Sequence, residues 1–185
     1  MLEQYLINHC APTLASLKTA NLFNCTAENP TALQMAVSRW QALLAPKGVE
    51  LLLLRESGNR ALVYVYRPDR LARDLQQPGV AAFLAHCGYT GTAPAACLEV
   101  LKRKLAVSSD FPHEIGLFLG YPLGDVIGFI ENHGQNCLCC GVWKVYTNPE
   151  AAAGAFRKFS KCTRVYRRLF FGGQRNVEQL TVKSA

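Results

Sequence analysis

No run within the 185 residues approaches the ~20 consecutive apolar positions that a membrane-spanning helix requires, so no membrane segment is expected. The first ten residues, MLEQYLINHC, place Glu3 where a secretory signal would carry cations. The expectation is a soluble, cytoplasmic protein. Charge is also sparse, at 18% of residues, while half the chain is hydrophobic and 10% aromatic; this composition excludes disordered and simple coiled-coil classes. Glycine (14) and proline (9) are too few for a collagen-like chain, and there is no internal repeat, linker or low-complexity tract. A chain of this length buries roughly 70% of its unfolded surface, which suits a single globular domain over 1–185.

Acid is missing from one stretch altogether. Between Ala151 and Arg175 there is no Asp or Glu, but there are Arg157, Lys158, Lys161, Arg164, Arg167, Arg168 and Arg175. The rest of the chain is electrically balanced, so the net charge of +7 resides in this segment. Arg157, Lys161, Arg164 and Arg168 recur at intervals of 4, 3 and 4, which aligns them on one face of a helix. Such a ridge fits a solvated face, an acidic partner or nucleic acid. Aromatic stacking platforms for single strands are lacking, because the aromatics of the segment fall on its inward stripe.

The repeated, distant C-x-x-C pair of structural metal sites is absent too. Eight cysteines occur, at positions 10, 25, 87, 97, 137, 139, 140 and 162, and without an export signal they read as thiols. Cys87, Cys97 and Cys162 sit among apolar residues at helical spacing and are expected in the core. His133, Cys137, Cys139 and Cys140 have the ligand types for zinc but poor spacing, so no metal site is assigned. The sequence does not identify a cofactor.

Periodicity places the elements. A helical turn over Leu2 to Asn8 should give way to an extended or looped stretch, HCAPTLASLKTANLF, because Pro12 interrupts a helix. Asn29-Pro30 opens a helix that stops at Pro46-Lys47-Gly48. Two apolar runs flanking Ser57-Gly58-Asn59 form a hairpin apolar on both faces, hence covered on both. Short helices follow from Pro68 to Gln76 and from Pro78 to Cys87, with another through ACLEVLKRKLAV. GVWKVY reads as a strand, Glu150 to Phe171 as a helix stopped by Gly172-Gly173, and VEQLTVK as a last strand. Part of Thr13 to Phe23 is a further strand candidate. The fold class is α+β, with a mixed or mainly antiparallel sheet of four to five strands and helices packed on it.

One segment departs from ordinary packing. FPHEIGLFLGYPLGDVIGFIENHG has glycine at 116, 120, 124 and 128, and Pro122 divides it into a helix ending at Gly120 and a second starting near Leu123. Helix-interior glycines each cost about 1 kcal/mol relative to alanine, which close backbone approach would offset, either by another element or by a ligand. The second helix resembles a recognition helix only in outline, since it offers Asp125 and Glu131 and no Arg or Lys. His113 and Glu114 fall at the first turn of the first helix, where a helix dipole favours an anion. His9-Cys10 lies upstream of Lys18 in small and polar sequence. If these stretches meet, Cys10 is the candidate nucleophile, His113 and Glu114 its catalytic partners, and His9, Lys18, Gly116, Gly120 and Tyr121 the ligand-binding residues.

At HCAPTLA (residues 9–15), PHEIGLFLGYP (112–122) and WKVY (143–146), the sequence resembles a family of uncharacterised proteins of anaerobic Gram-positive bacteria known only as a domain of unknown function. The resemblance spans nearly the whole chain and implies kinship without a mechanism. CLCC at 137–140 is richer in cysteine than that pattern, which further weakens a shared metal site. The expected function is therefore a small-molecule site, binding or catalytic and suited to an anion, between the His9-Cys10 segment and His113-Glu114. The alternatives are nucleic-acid or acidic-partner binding by the basic helix, and a purely structural or interaction role.

Overall fold

The computed structural model describes residues 2–26, 28–107 and 111–183. The chain divides into two compact units, Met1–Arg70 with Lys161–Ala185, and Leu71–Ser160. Both crossings between them fall inside helices, which is why no Gly- or Pro-rich linker is visible in the sequence.

The first unit begins with α1 (Leu2–Leu14), β1 (Ala20–Thr26) and α2 (Pro30–Leu44), followed by a 3-10 turn at Ala45–Lys47, β2 (Glu50–Ser57) and β3 (Arg60–Tyr66). The hairpin forms as expected. Gly58 turns it with φ of 58°, in the left-handed region that glycine enters without a Cβ penalty. β3 is central in an antiparallel sheet of order β1-β3-β2, with Val63 opposite both Phe23 and Leu53. Every residue of β3 from Ala61 to Tyr66 is buried, consistent with cover on both faces. One face carries Phe23, Cys25, Ala61, Val63 and Val65 into a core with Leu6, Cys10 and Leu14 of α1 and with Leu33, Val37 and Trp40 of α2. α2 starts where Asn29 accepts a hydrogen bond from the Ala32 amide at 2.8 Å, and Pro30 occupies the first helical position.

Three sequence expectations are corrected here. α1 runs through Pro12 instead of ending at Asn8. The stripe Leu6, Cys10, Leu14 enters the core, and this burial outweighs the one backbone bond that Pro12 removes. The C-terminal VEQLTVK does not form a strand: Val177–Leu180 is a short helix (labelled α9 below). Asn176 accepts from the Gln179 amide at 2.8 Å, the Gln179 side chain accepts from the Asn176 amide at 3.1 Å, and this reciprocal cap fixes the turn. The single sheet of four to five strands is a three-stranded sheet plus a separate two-stranded ladder.

That ladder belongs to the second unit. The unit contains α4 (Val80–His86), α5 (Pro94–Val107), α6 (Ile115–Phe118), α7 (Leu123–Glu131), β4 (Cys139–Cys140) and β5 (Lys144–Val145). α3 (Pro68–Leu75) leads into it, and α8 (Pro149–Phe171) leads out of it to α9. The strand expected over GVWKVY is reduced to Lys144–Val145, paired antiparallel with Cys139–Cys140 around the tip Gly141–Trp143. Among the described residues, no helix is long and apolar enough to cross a membrane.

Candidate functional site

The division at Pro122 occurs as the sequence predicts. α6 ends in a turn where Gly120 takes φ of 76°, and α7 starts at Leu123. His113 and Glu114, expected in the first turn of this helix, precede it in a turn of their own. The helix-interior glycines are filled by protein. A Cβ on Gly116 would lie 2.8 Å from Val126 Cγ2, so α6 and α7 touch there. A Cβ on Gly124 would lie 2.6 Å from Thr147 Cγ2, and one on Gly128 2.5 Å from Tyr146 Cγ, so α7 lies directly against the segment that continues β5.

Asp125, between those two glycines, locks this contact. It is 3% exposed and its carboxylate accepts four hydrogen bonds: Trp143 Nε1 at 2.8 Å, the Tyr146 amide at 2.8 Å, the Thr147 amide at 2.9 Å and Thr147 Oγ1 at 2.8 Å. Its place in the first turn of α7 adds the favourable helix dipole. The tip of the ladder is thereby held over α6 and α7, framing a half-open cavity of about 490 Å³. Its walls are largely aromatic and aliphatic. Tyr121 and Trp143 stack with centroids 4.9 Å apart, and Phe156 supports Trp143 from behind, edge-on at 4.6 Å. Phe129 forms another part of the wall, with the His113 ring edge-on at 5.0 Å and Lys144 Nζ 6.0 Å from its centroid. Burial pushes the Tyr121 phenol up to about 12, and its hydroxyl donates to Val142 O at 3.3 Å.

Of the residues singled out from sequence, His113, Gly116 and Tyr121 line this cavity together. Glu114 does not line it. Its buried carboxylate pairs with Lys104 and accepts from Tyr89 Oη at 3.3 Å, and Lys104 Nζ also lies 4.9 Å from the Tyr89 ring centroid. That arrangement supports an ion pair anchoring the α6 start to α5, with burial and the Glu114 charge raising the Tyr89 phenol above its ordinary range.

His9, Cys10 and Lys18 belong to the first unit. His9 is exposed and stacks with Tyr5 at 5.9 Å and Phe23 at 5.7 Å. The buried Lys18 donates to the Ala20 carbonyl. Cys10 is fully buried, and burial raises its thiol far above the usual range, only partly opposed by the charge of Lys18. A nucleophile must be accessible and deprotonated, and this environment favours the neutral, buried thiol. All eight cysteines are free thiols; Cys97 and Cys162 are buried as expected, Cys87 is half-buried and Cys140 exposed. Burial pushes the Cys162 thiol up to about 11. Brief treatment of the native protein with an aromatic disulfide reagent, followed by peptide mass mapping, should therefore label Cys140 within the fast phase. Cys10 and Cys162 should react only after denaturation, and fast native labelling of Cys10 would contradict its buried state.

On α8, Arg157, Lys161, Arg164 and Arg168 are all exposed, while Phe156, Phe159, Tyr166, Leu169 and Phe170 are half-buried. Among the described residues, no group of three His, Cys, Asp or Glu side chains is placed to hold a metal ion. Asp125, Phe129, Cys140, Trp143 and Lys144 were not singled out by sequence as site residues. The available signals were an acid in the first turn after Pro122 and a glycine between two short β-prone runs at Gly141.

The family described as "Protein of unknown function (DUF3793)" matches residues 6–181, nearly the whole chain. No curated protein and no solved structure shows a significant match.

Proposed function

We propose that this chain, which belongs to the DUF3793 family, binds a small, flat and largely apolar molecule in the cavity beside Trp143. The observation that carries this reading is the cavity itself. Its volume of about 490 Å³ suits a small organic ligand, and its wall combines aromatic rings with a few polar groups at fixed positions. Binding is favoured over acid–base turnover because Asp125, the one carboxylate among the described residues of the wall, already accepts four hydrogen bonds and is committed to holding the ladder.

The test uses a neutral dye, N-phenyl-1-naphthylamine, whose emission rises in an apolar site. Saturable binding of one dye per chain is expected. Val142 lines the cavity from the exposed tip and is 43% exposed, so Val142→Trp can enlarge the side chain without disturbing a packed core. The variant should keep the parent thermal midpoint and lose dye affinity at least tenfold. Dye binding that never saturates, or that survives unchanged in Val142→Trp, would refute the reading.

A further inference from the structure

We infer that the molecule held in this cavity is a planar aromatic acid, a ring system bearing one anionic group, with the ring near Trp143 and the anion toward Lys144. This inference rests on the binding reading above and adds the charge and orientation of the ligand. Two observations carry it. Tyr121 and Trp143, stacked on each other with centroids 4.9 Å apart, give one side of the lining an aromatic surface against which a ring can pack. The Phe129 side has a different character, because His113 and Lys144 both lie against that one ring, at 5.0 Å and 6.0 Å.

The polar inventory of the described lining residues favours an anion. Among the described lining residues Asp125 is the only acidic side chain, and donors from Trp143, Tyr146 and Thr147 surround its carboxylate. The Trp143 N–H is spent on Asp125, and the Tyr121 hydroxyl donates to Val142 O. Lys144 spends one N–H on Gly134 O at 2.5 Å, and an ammonium has three to give. What the wall offers a ligand is therefore a cation with donors to spare beside a histidine. A cationic guest would meet like charge there, whereas a carboxylate or sulfonate would gain a charge-assisted hydrogen bond.

The experiment compares two dyes of one shape, neutral N-phenyl-1-naphthylamine and its sulfonate, 8-anilinonaphthalene-1-sulfonate. The parent protein should bind the sulfonate about tenfold more tightly than the neutral dye, equivalent to roughly 1.4 kcal/mol. Lys144→Met should abolish that preference, bringing the ratio of the two affinities to about one, while Lys144→Arg should retain the preference. If the neutral dye saturates the site but the sulfonate is not preferred, or if Lys144→Met weakens both dyes equally, the anionic ligand is refuted and the apolar pocket stands. If neither dye saturates, or if both survive Val142→Trp, the pocket reading fails and this inference fails with it.

Discussion

Arg67→Met is expected to lower the unfolding free energy by about 4 kcal/mol, and the thermal midpoint of a chain this size by roughly 10 °C. Arg67 follows β3, and its side chain is fully buried in the first unit. Its guanidinium donates to Thr13 O at 2.7 Å, Leu14 O at 2.8 Å and Val182 O at 2.7 Å, with a longer bond to Lys47 O at 3.4 Å. Thr13 and Leu14 close α1, so the cation also sits at the negative end of that helix. Burial lowers the pKa of the guanidinium, but an arginine remains charged at any ordinary pH, so the cost of desolvation is present throughout the working range. The carbonyl bonds offset that cost. Methionine keeps most of the stem and supplies no donor, which isolates the loss of those bonds from the opening of a cavity. Urea unfolding of parent and variant measures the difference, and a loss below about 1 kcal/mol would show that the three carbonyls do not depend on the guanidinium.

Arg67 also illustrates what sequence pattern exposes and what it hides. Periodicity locates elements whose own residues carry the signal. The β2–β3 hairpin has a turn glycine between apolar runs, α2 has Asn29-Pro30 at its start, and α7 begins one residue after Pro122. The tie between α1, the end of β3 and Val182 joins positions separated by 53 to 115 residues, and no local pattern marks it. The same limit explains Cys10. Its neighbours in sequence look polar and small, yet the helical stripe Leu6, Cys10, Leu14 turns the thiol into the core, because tertiary burial overrides the local effect of Pro12. α9 was missed for a different reason: Asn176 and Gln179 have the spacing of a reciprocal helix cap, and the alternating apolar residues after them mask it.

The site was legible to a similar degree. His113, Gly116 and Tyr121 stand out because histidine, an interior glycine and a residue before proline are unusual in an apolar helix pair, and all three line the cavity. Gly124 and Gly128 mark a close approach as well, and the approaching groups are Thr147 and Tyr146. A helix-interior glycine signals that something lies close, and sequence does not say whether that neighbour is ligand or protein. The partner wall, from Cys140 to Lys144, was concealed by reading GVWKVY as an uninterrupted strand, when its polar bonds go to an aspartate eighteen residues upstream of Trp143.

That aspartate gives the second large effect. Asp125→Asn should cost about 3 kcal/mol of stability and weaken binding of the neutral dye about tenfold, because the carboxylate holds the cavity wall in place. The amide oxygen of asparagine can still accept from Tyr146 N, Thr147 N and Thr147 Oγ1, although without charge each bond is weaker. The remaining NH₂ then faces Trp143 Nε1, donor against donor, where Oδ2 now accepts at 2.8 Å. Flipping the amide turns the NH₂ toward two backbone N–H donors, which only the Thr147 hydroxyl could relieve by accepting, so no orientation satisfies the site. Trp143→Phe removes the opposing N–H, and on its own it should cost about 1–2 kcal/mol by leaving Oδ2 without that donor. The two changes are therefore coupled. The double variant should be at least about 1 kcal/mol more stable than the sum of the single losses predicts, a difference that a double-mutant cycle in urea resolves. Strict additivity would mean that Asp125 and Trp143 do not act on one another, and the hold of Asp125 on the ladder would then rest on its bonds to Tyr146 and Thr147.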